Sequence, residues 1–232
     1  DIIRFNKCNY KMVMDKTQAT RRFNMIEQQI RPWDVLDPVT LNLLTLVPRE
    51  AYVPTAYQGV AFADLEIPIG HGEKMLSPKL EARILQSLNV KKTDHVLHVG
   101  TGSGYFDALL ASLSQSLMTL DIHLEFISRA KELHHRDQIT NVVYHHSNGL
   151  LGWNDEAPYD VIVFTGSLPE EPIGLREQLK IGGRLFIIEG VNPMMTAKII
   201  VRSDEFQFGE KILFDTVIDP LTSHWKPSSF IF

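Results

Sequence analysis

The sequence predicts an α/β fold, in which a doubly wound, mostly parallel sheet ends in an antiparallel hairpin and carries an N-terminal helical cap. Two observations predict it. Short apolar segments alternate with amphipathic ones between residues 95 and 189, as in parallel strands joined by helices. Beyond residue 196, two apolar segments flank a short polar connection, which is typical of a hairpin.

The N-terminal part has helical spacing. Over residues 17–47, Phe23, Ile26 and Ile30 are expected on one helix face, and Pro32 is expected to end that helix.

A second helix is predicted at 37–47, with Asp37 as its N-cap and Pro38 in its first turn. The following residues, 51–76, are irregular and rich in glycine, proline and aromatic side chains. An irregular segment of that length is often functional.

The rest of the chain is regular. Ser77 and Pro78 form a good N-cap and first-turn pair for the next helix. The elements expected from there are, in order, a helix over 78–89, a strand at 95–99, a helix over 104–114, a strand at 117–121, a helix over 124–136, strands at 141–145 and 160–164, a helix near 170–180, and strands at 184–189, 197–203 and 211–218.

The composition suits a single compact unit, because 44% of the 232 residues are hydrophobic and 22% are charged. We expect residues 14–76 to form the helical cap and a substrate loop, and residues 77–232 to form the main domain packed against it. Residues 1–13 do not begin with Met and show no secretory pattern, so they are interpreted as a disordered or non-native leader.

The charge and cysteine content narrow the function. A net charge of −5 gives no reason to expect nucleic acid or a membrane surface as a partner. Cys8 is the single cysteine, so no disulfide can form within the chain, and a reducing cytoplasm is the simplest location. The nine histidines lack the spacing of a metal-binding motif, so no metal is expected.

A glycine-rich turn follows the first strand of the sheet, in the segment HVLHVGTGSGY (95–105). Gly100, Gly102 and Gly104 form G-x-G-x-G at the carboxyl end of that strand, where open parallel sheets bind ligands. A dinucleotide motif would need glycine where Tyr105 stands, and the lysine of a Walker loop is absent.

Asp121 closes the next strand. An acid at this place can accept hydrogen bonds from both hydroxyls of a ribose. The glycine turn followed by this acid favours S-adenosylmethionine (SAM) as the cofactor.

Blocks along nearly the whole chain resemble one known family, the protein-L-isoaspartate O-methyltransferases. The segments that carry the resemblance are MIEQQI (25–30), VPREAYVP (47–54), VAFADLEIPIGHGEKMLSP (60–78), VLHVGTGSGY (96–105), SNGLLGW (147–153), PYDVIVFTGSLPEEP (158–172), LKIGGRLFIIEG (179–190) and DPLTS (219–223). They occur in the family's order and with few gaps.

The resemblance implies a class I SAM-dependent methyltransferase with a Rossmann-like sheet. Its substrate would be the carboxylate of isoaspartyl residues in damaged proteins or peptides. Ser77, in MLSPKLEAR (75–83), matches the family's catalytic serine, whose hydroxyl would orient one oxygen of that carboxylate. The oligomeric state is left open.

Further site residues are expected from the resemblance and from their places at strand ends. The cofactor would contact His98, Gly100, Thr101, Gly102, Gly104, Asp121, Ile122, Asn148, Gly149, Thr165 and Thr222. The substrate would contact His71, Gly72 and Ser167.

Three positions depart from the family pattern. His98 stands where the family has an acid, Asn148 replaces an aspartate, and the Ser77 loop is one residue shorter. Two alternatives therefore stay open at this point: a SAM methyltransferase acting on another carboxylate or small molecule, and a decayed, non-catalytic member that acts by binding a partner.

Overall fold

The structure is a computed structural model that describes residues 16–221. The leader expected at residues 1–13 and the proposed cofactor contact Thr222 lie outside the described residues. Within 16–221, no helix combines the length and apolar character that crossing a bilayer requires.

Nine strands are present in the described residues. They are β1 (Ile67–Gly70), β2 (Glu73–Met75), β3 (His95–Val99), β4 (Ser116–Asp121), β5 (Val142–His146), β6 (Tyr159–Leu168), β7 (Leu179–Val191), β8 (Met194–Arg202) and β9 (Phe208–Asp215).

Seven of these strands form the central sheet, in the spatial order β5-β4-β3-β6-β7-β8-β9. The first five in this order pair in parallel, and β8 and β9 continue the sheet antiparallel. The predicted α/β class, with its antiparallel C-terminal hairpin, is therefore confirmed. The chain winds outward from β3 through β4 to β5 and then returns to β6 on the other side of β3, so the strand order reverses between β3 and β6.

Five α-helices accompany the sheet. They are α1 (Lys16–Met25), α2 (Pro38–Leu46), α3 (Pro78–Leu88), α4 (Tyr105–Leu113) and α5 (Leu124–Arg136). The predicted N-cap of α2 is present, because the Thr40 backbone N–H donates to Asp37 Oδ2 at 2.8 Å. Gly104 lets α4 and α5 pack closely, since a Cβ there would lie 2.9 Å from Ala130 Cβ.

Three predictions about local structure were wrong. Residues 51–76, expected to be irregular, contain the β1–β2 hairpin. The segment near 170–180 is a loop with a single 3₁₀ turn (Arg176–Gln178) in place of a helix. Pro172 lacks an N–H, and Gly174 adopts a φ of 83°, so a continuous helix is interrupted twice. Phe23 is 62% exposed, so it does not share the buried face of Ile26 and Ile30.

The N-terminal segment is held to α3 by a buried ion pair between Arg49 and Glu81. The Arg49 guanidinium also donates to the Ala61 carbonyl at 2.9 Å and to the Leu76 carbonyl at 2.7 Å. These bonds hold the chain where it passes from β2 into α3.

Candidate active site

A cleft lies at the carboxyl ends of β3, β4 and β6, where the strand order reverses. Its open volume is about 760 Å³. Its floor includes Gly100, Gly102, Asp121 and Thr165, and its side walls are the β1–β2 hairpin and the segment Ile218–Leu221. Parallel α/β sheets bind ligands at this place.

The glycine turn is shaped for close backbone approach. Gly100 has a φ of 106°, and a Cβ at this position would come within 2.7 Å of Thr165 Oγ1. Any other residue would therefore be strained and would also fill the space between β3 and β6. The turn leaves room above the strand ends for a ligand.

Asp121 is oriented by the glycine turn. Its Oδ2 accepts the Gly102 N–H at 3.0 Å, and its Oδ1 accepts the His123 N–H at 2.8 Å. Burial raises the pKa of this carboxyl, and the two backbone N–H groups partly oppose the rise. Each oxygen keeps a further lone pair, so the carboxylate can accept hydrogen bonds from two hydroxyls of a ribose.

The segment after β5 forms the far end of the cleft. This end is lined by Asn148 and Gly149 from that segment and by Ile122, which follows β4. Asn148 Oδ1 accepts the Leu150 N–H at 3.1 Å and retains a second lone pair. A Cβ on Gly149 would lie 2.8 Å from Val99 Cγ1, so only glycine allows this segment to approach β3 so closely.

The segment Ile218–Leu221 closes the opposite side. Ser167 donates its backbone N–H to the Asp219 carbonyl at 3.1 Å and accepts the Leu221 N–H at 3.0 Å. The Ser167 side chain is buried and also contacts the Ile218 carbonyl. Ser167, expected to contact substrate, thus anchors this wall.

Four other expected site residues do not line the cleft. Thr101 is buried and bonded to Thr119, and Gly104 serves the packing of α4. His71 stacks on His123 with 4.3 Å between ring centroids and contacts the Phe126 ring at a centroid distance of 5.3 Å, so it reaches the cleft wall through these two residues. Gly72 lies beside His71 at the hairpin turn, with a φ of 81°.

The structure places Leu76, and not Ser77, at the cleft wall. Ser77 takes the N-cap position of α3, but its side chain makes no capping hydrogen bond. The residue that lines the cleft, Leu76, precedes Ser77 by one position. The hydroxyl expected to orient the substrate carboxylate is therefore not at the wall in this structure.

His98 is fully buried beneath the cleft floor. Its Nδ1 lies 2.5 Å from Asp107 Oδ1 on α4, and its Nε2 lies 2.9 Å from Thr165 Oγ1. Thr165 lines the cleft, so His98 reaches it through that hydroxyl. Asp107 is not among the residues expected at the site, although an acid within the apolar segment YFDALLASL is unusual enough to indicate a buried partner.

Lys74 is the other residue that sequence reasoning missed. Its Nζ lies 2.8 Å from Asp219 Oδ2 and 3.6 Å from Glu66 Oε2, and all three residues line the cleft. Among the lining residues within 16–221, it is the one lysine or arginine, and it stands against four acids: Glu66, Glu73, Asp121 and Asp219. Burial raises the pKa of Glu66, and Lys74 opposes that rise.

Comparison with known proteins agrees with this geometry. Residues 20–225 match the family model for protein-L-isoaspartate(D-aspartate) O-methyltransferase. A protein-L-isoaspartate O-methyltransferase of Koribacter versatilis is 35% identical over 204 residues, which cover 88% of this chain and 91% of the relative. One from Syntrophus aciditrophicus is 35% identical over 178 residues, which cover 77% and 81%.

Solved structures show the same fold. A Plasmodium falciparum structure assigned to the same enzyme class, crystallised with S-adenosyl-L-homocysteine, matches with a TM-score of 0.74 and 21% identity, over 88% of this chain and 98% of that one. The family match spans nearly all the described residues, and both relatives align with this chain over most of their own length. The chain therefore belongs to the protein-L-isoaspartate(D-aspartate) O-methyltransferase family.

Proposed function

We propose that this protein transfers the methyl group of SAM to the carboxylate of isoaspartyl residues in damaged proteins or peptides. The observation that carries the proposal is the arrangement of Asp121, the Gly100–Gly104 turn and Thr165 around one cleft at the reversal of strand order. This arrangement fits a nucleoside with a small charged extension. Membership of the methyltransferase family supports the same reaction.

The residues present fit the cofactor. Asp121 would hold the ribose hydroxyls, and Asn148 and Gly149 would face the adenine beyond β4. Gly100 and Thr165 would then face the methionine end, because they lie on the other side of Asp121 along the sheet edge. SAM, when bound, supplies an electrophilic methyl group on a sulfonium.

The protein has little bond-making chemistry of its own to perform. The transfer breaks an S–CH₃ bond and forms an O–CH₃ bond, and it leaves S-adenosylhomocysteine and a methyl ester. A carboxylate is already a nucleophile, so no general base is required. The contribution of the chain is to position the carboxylate and to exclude water from it.

Lys74 is the residue we assign to the substrate carboxylate. The cleft wall carries four acids, which repel an anionic substrate, and Lys74 is the cation among them. Its partner Asp219 is 51% exposed, so a substrate carboxylate can take the place of that partner. Since Leu76 at the wall offers no hydroxyl, the ion pair between Lys74 and the substrate carboxylate orients that carboxylate.

The test is methylation of an isoaspartyl peptide and of the same peptide with a normal aspartate, using SAM labelled in its methyl group. We expect label only in the isoaspartyl peptide, and none with the Asp121→Ala variant. Binding of S-adenosylhomocysteine without labelling of either peptide would point to another carboxylate or a small molecule. Failure to bind S-adenosylhomocysteine would favour a non-catalytic role.

Location and partners belong to the same proposal. The single cysteine and the protein substrate are consistent with action in a reducing cytoplasm. The net charge of −5 gives no support to a nucleic acid or an anionic membrane as partner.

A further inference from the structure

Beneath the cleft floor, three side chains form a continuous hydrogen-bonded chain from α4 to the cleft. Asp107 Oδ1 contacts His98 Nδ1 at 2.5 Å, and His98 Nε2 contacts Thr165 Oγ1 at 2.9 Å. Asp107 and His98 are both fully buried. Asp107 Oδ2 has no hydrogen-bond partner within residues 16–221, so this carboxylate makes its side-chain hydrogen bond to the imidazole alone.

The first contact determines the imidazole tautomer. A carboxylate can only accept, so the hydrogen in the Asp107–His98 contact belongs to Nδ1. In a neutral imidazole, Nε2 is then an acceptor. The donor available to it is the Thr165 hydroxyl, whose single hydrogen is thereby directed away from the cleft.

When the Thr165 hydroxyl hydrogen points to His98, two oxygens are left facing each other. Thr165 Oγ1 lies 3.0 Å from the Gly100 carbonyl oxygen, and the hydroxyl has one hydrogen to share between that oxygen and His98 Nε2. When the hydrogen points to His98, both oxygens present lone pairs to the same space. Two such oxygens repel each other unless a hydrogen-bond donor binds between them, and a positively charged donor binds such a pair most strongly.

The position of this oxygen pair relative to Asp121 indicates which part of the ligand it meets. The sheet order places β4, which ends in Asp121, on one side of β3, and β6, which carries Thr165, on the other. With the ribose at Asp121, the pair lies toward the methionine end. The charged donor at that end is the α-ammonium.

We propose that Asp107 and His98 are positioning residues that act through Thr165 on the α-ammonium of the cofactor. The Asp107 carboxylate holds the imidazole in the Nδ1–H tautomer, and the imidazole holds the Thr165 hydrogen. The Thr165 oxygen and the Gly100 carbonyl then accept from the ammonium. This inference rests on the cofactor in the proposed function, and it adds a role for two residues that do not line the cleft.

The test compares two ligands by isothermal titration calorimetry. S-adenosylhomocysteine carries the α-ammonium, whereas 5′-methylthioadenosine has the same adenosine and thioether but lacks the amino-acid end, with its ammonium and its carboxylate. In Asp107→Asn, an amide can donate to Nδ1 as well as accept from it, so the tautomer is no longer fixed. We expect S-adenosylhomocysteine affinity to fall by at least about tenfold, the size expected for a hydrogen bond to a charged group. Affinity for 5′-methylthioadenosine should be nearly unchanged.

Thr165→Val provides the matched variant at the cleft wall, because it removes the hydroxyl and keeps the shape. It should produce the same selective loss, and adding Asp107→Asn to it should cause little further loss. Equal losses for both ligands, or no loss for S-adenosylhomocysteine in either variant, would overturn the inference. If the wild-type protein bound neither ligand, the proposed function itself would be overturned together with this inference. That result is distinguishable from a failure of the inference alone, in which the wild type binds S-adenosylhomocysteine.

Discussion

Lys74 Nζ lies 2.8 Å from Asp219 Oδ2, so an ion pair joins β2 to the segment after β9 across the mouth of the cleft. Glu66, on the chain just before β1, is 3.6 Å from the same ammonium. One cation is therefore shared by two walls of the site. A substrate carboxylate that binds Lys74 must therefore compete with Asp219 and Glu66 for the same ammonium.

Replacement of Lys74 should separate substrate binding from cofactor binding. In Lys74→Met we expect the KM for an isoaspartyl peptide to rise several-fold and the S-adenosylhomocysteine affinity to stay unchanged, because the ammonium faces the substrate side. Lys79→Met is the matched control, since Lys79 pairs with Asp64 at 2.8 Å and does not line the cleft. Equal KM values for the two variants would show that Lys74 has no part in substrate binding.

Substitution of Leu76 should change kcat/KM, whereas substitution of Ser77 should not. Ser77→Ala should leave kcat/KM almost unchanged, because its hydroxyl neither lines the cleft nor caps α3. Leu76→Ser should raise kcat/KM for the isoaspartyl peptide, because it places a hydroxyl at the wall. Steady-state methylation assays check both. A large loss of turnover in Ser77→Ala would instead restore Ser77 as the catalytic serine.

Cofactor affinity should decrease at low pH through Asp121. In the proposed binding mode, the deprotonated carboxylate accepts from both ribose hydroxyls, and protonation removes one acceptor. Because burial raises the pKa of Asp121, the decrease should begin at a higher pH than the usual aspartate value of about 3.9 allows. Titrations of S-adenosylhomocysteine from pH 8 downward measure it. Asp121→Asn should bind at least about tenfold more weakly at neutral pH and should lose this pH dependence.

The buried ion pair of Arg49 should dominate the stability of the N-terminal segment. Arg49→Met should lower the free energy of unfolding by about 3–5 kcal/mol, the cost of leaving a buried partner unpaired. Arg31→Met is the control, because Arg31 forms an exposed pair with Glu27 and should cost less than about 0.5 kcal/mol. Urea unfolding measures both. Similar losses would mean that the Arg49–Glu81 pair is not a major source of stability.

The Arg49→Met variant should also show a pH dependence of a defined sign. Burial raises the pKa of Glu81, and Arg49 opposes that rise. Without Arg49 this opposition is lost, so Glu81 holds a proton more tightly in the folded variant than in the unfolded chain. The stability of the variant should therefore be greatest below the unfolded glutamate pKa of about 4.3 and should decline as the pH rises above it toward the raised pKa of the folded state. A variant that became more stable with rising pH would contradict this assignment.

The sheet could be predicted from the sequence because its signals are local. Apolar strands, a glycine turn and a closing acid each occupy a few consecutive residues, so β3, β4 and Asp121 were located correctly within the chain. The helix near 170–180 was wrong because Pro172 and Gly174 interrupt this segment, which is a loop. The contacts of the site were less predictable. Nothing local shows that Lys74 meets Asp219, since these residues are far apart in the sequence.

The positions of Leu76 and Asp107 show the same limit in another form. Leu76 lines the cleft and Ser77 does not, and the backbone at Leu76 is bonded to Arg49, which is distant in sequence. From the sequence, His98 is an isolated replacement of an acid, because its partner Asp107 lies nine residues later, on α4. A side chain's role here follows from its neighbours in space, and those become visible only once the chain is folded.

The wall formed by Ile218–Leu221 has a consequence for biosynthesis. Leu221 packs against Gly166, and the backbone of this segment is bonded to Ser167, yet these residues are made after every strand that the described residues 16–221 contain. A nascent chain that ends before residue 218 contains all of those strands but lacks one side of the pocket. The ability to hold a ligand therefore arises late in translation, after the rest of the described fold has been synthesised.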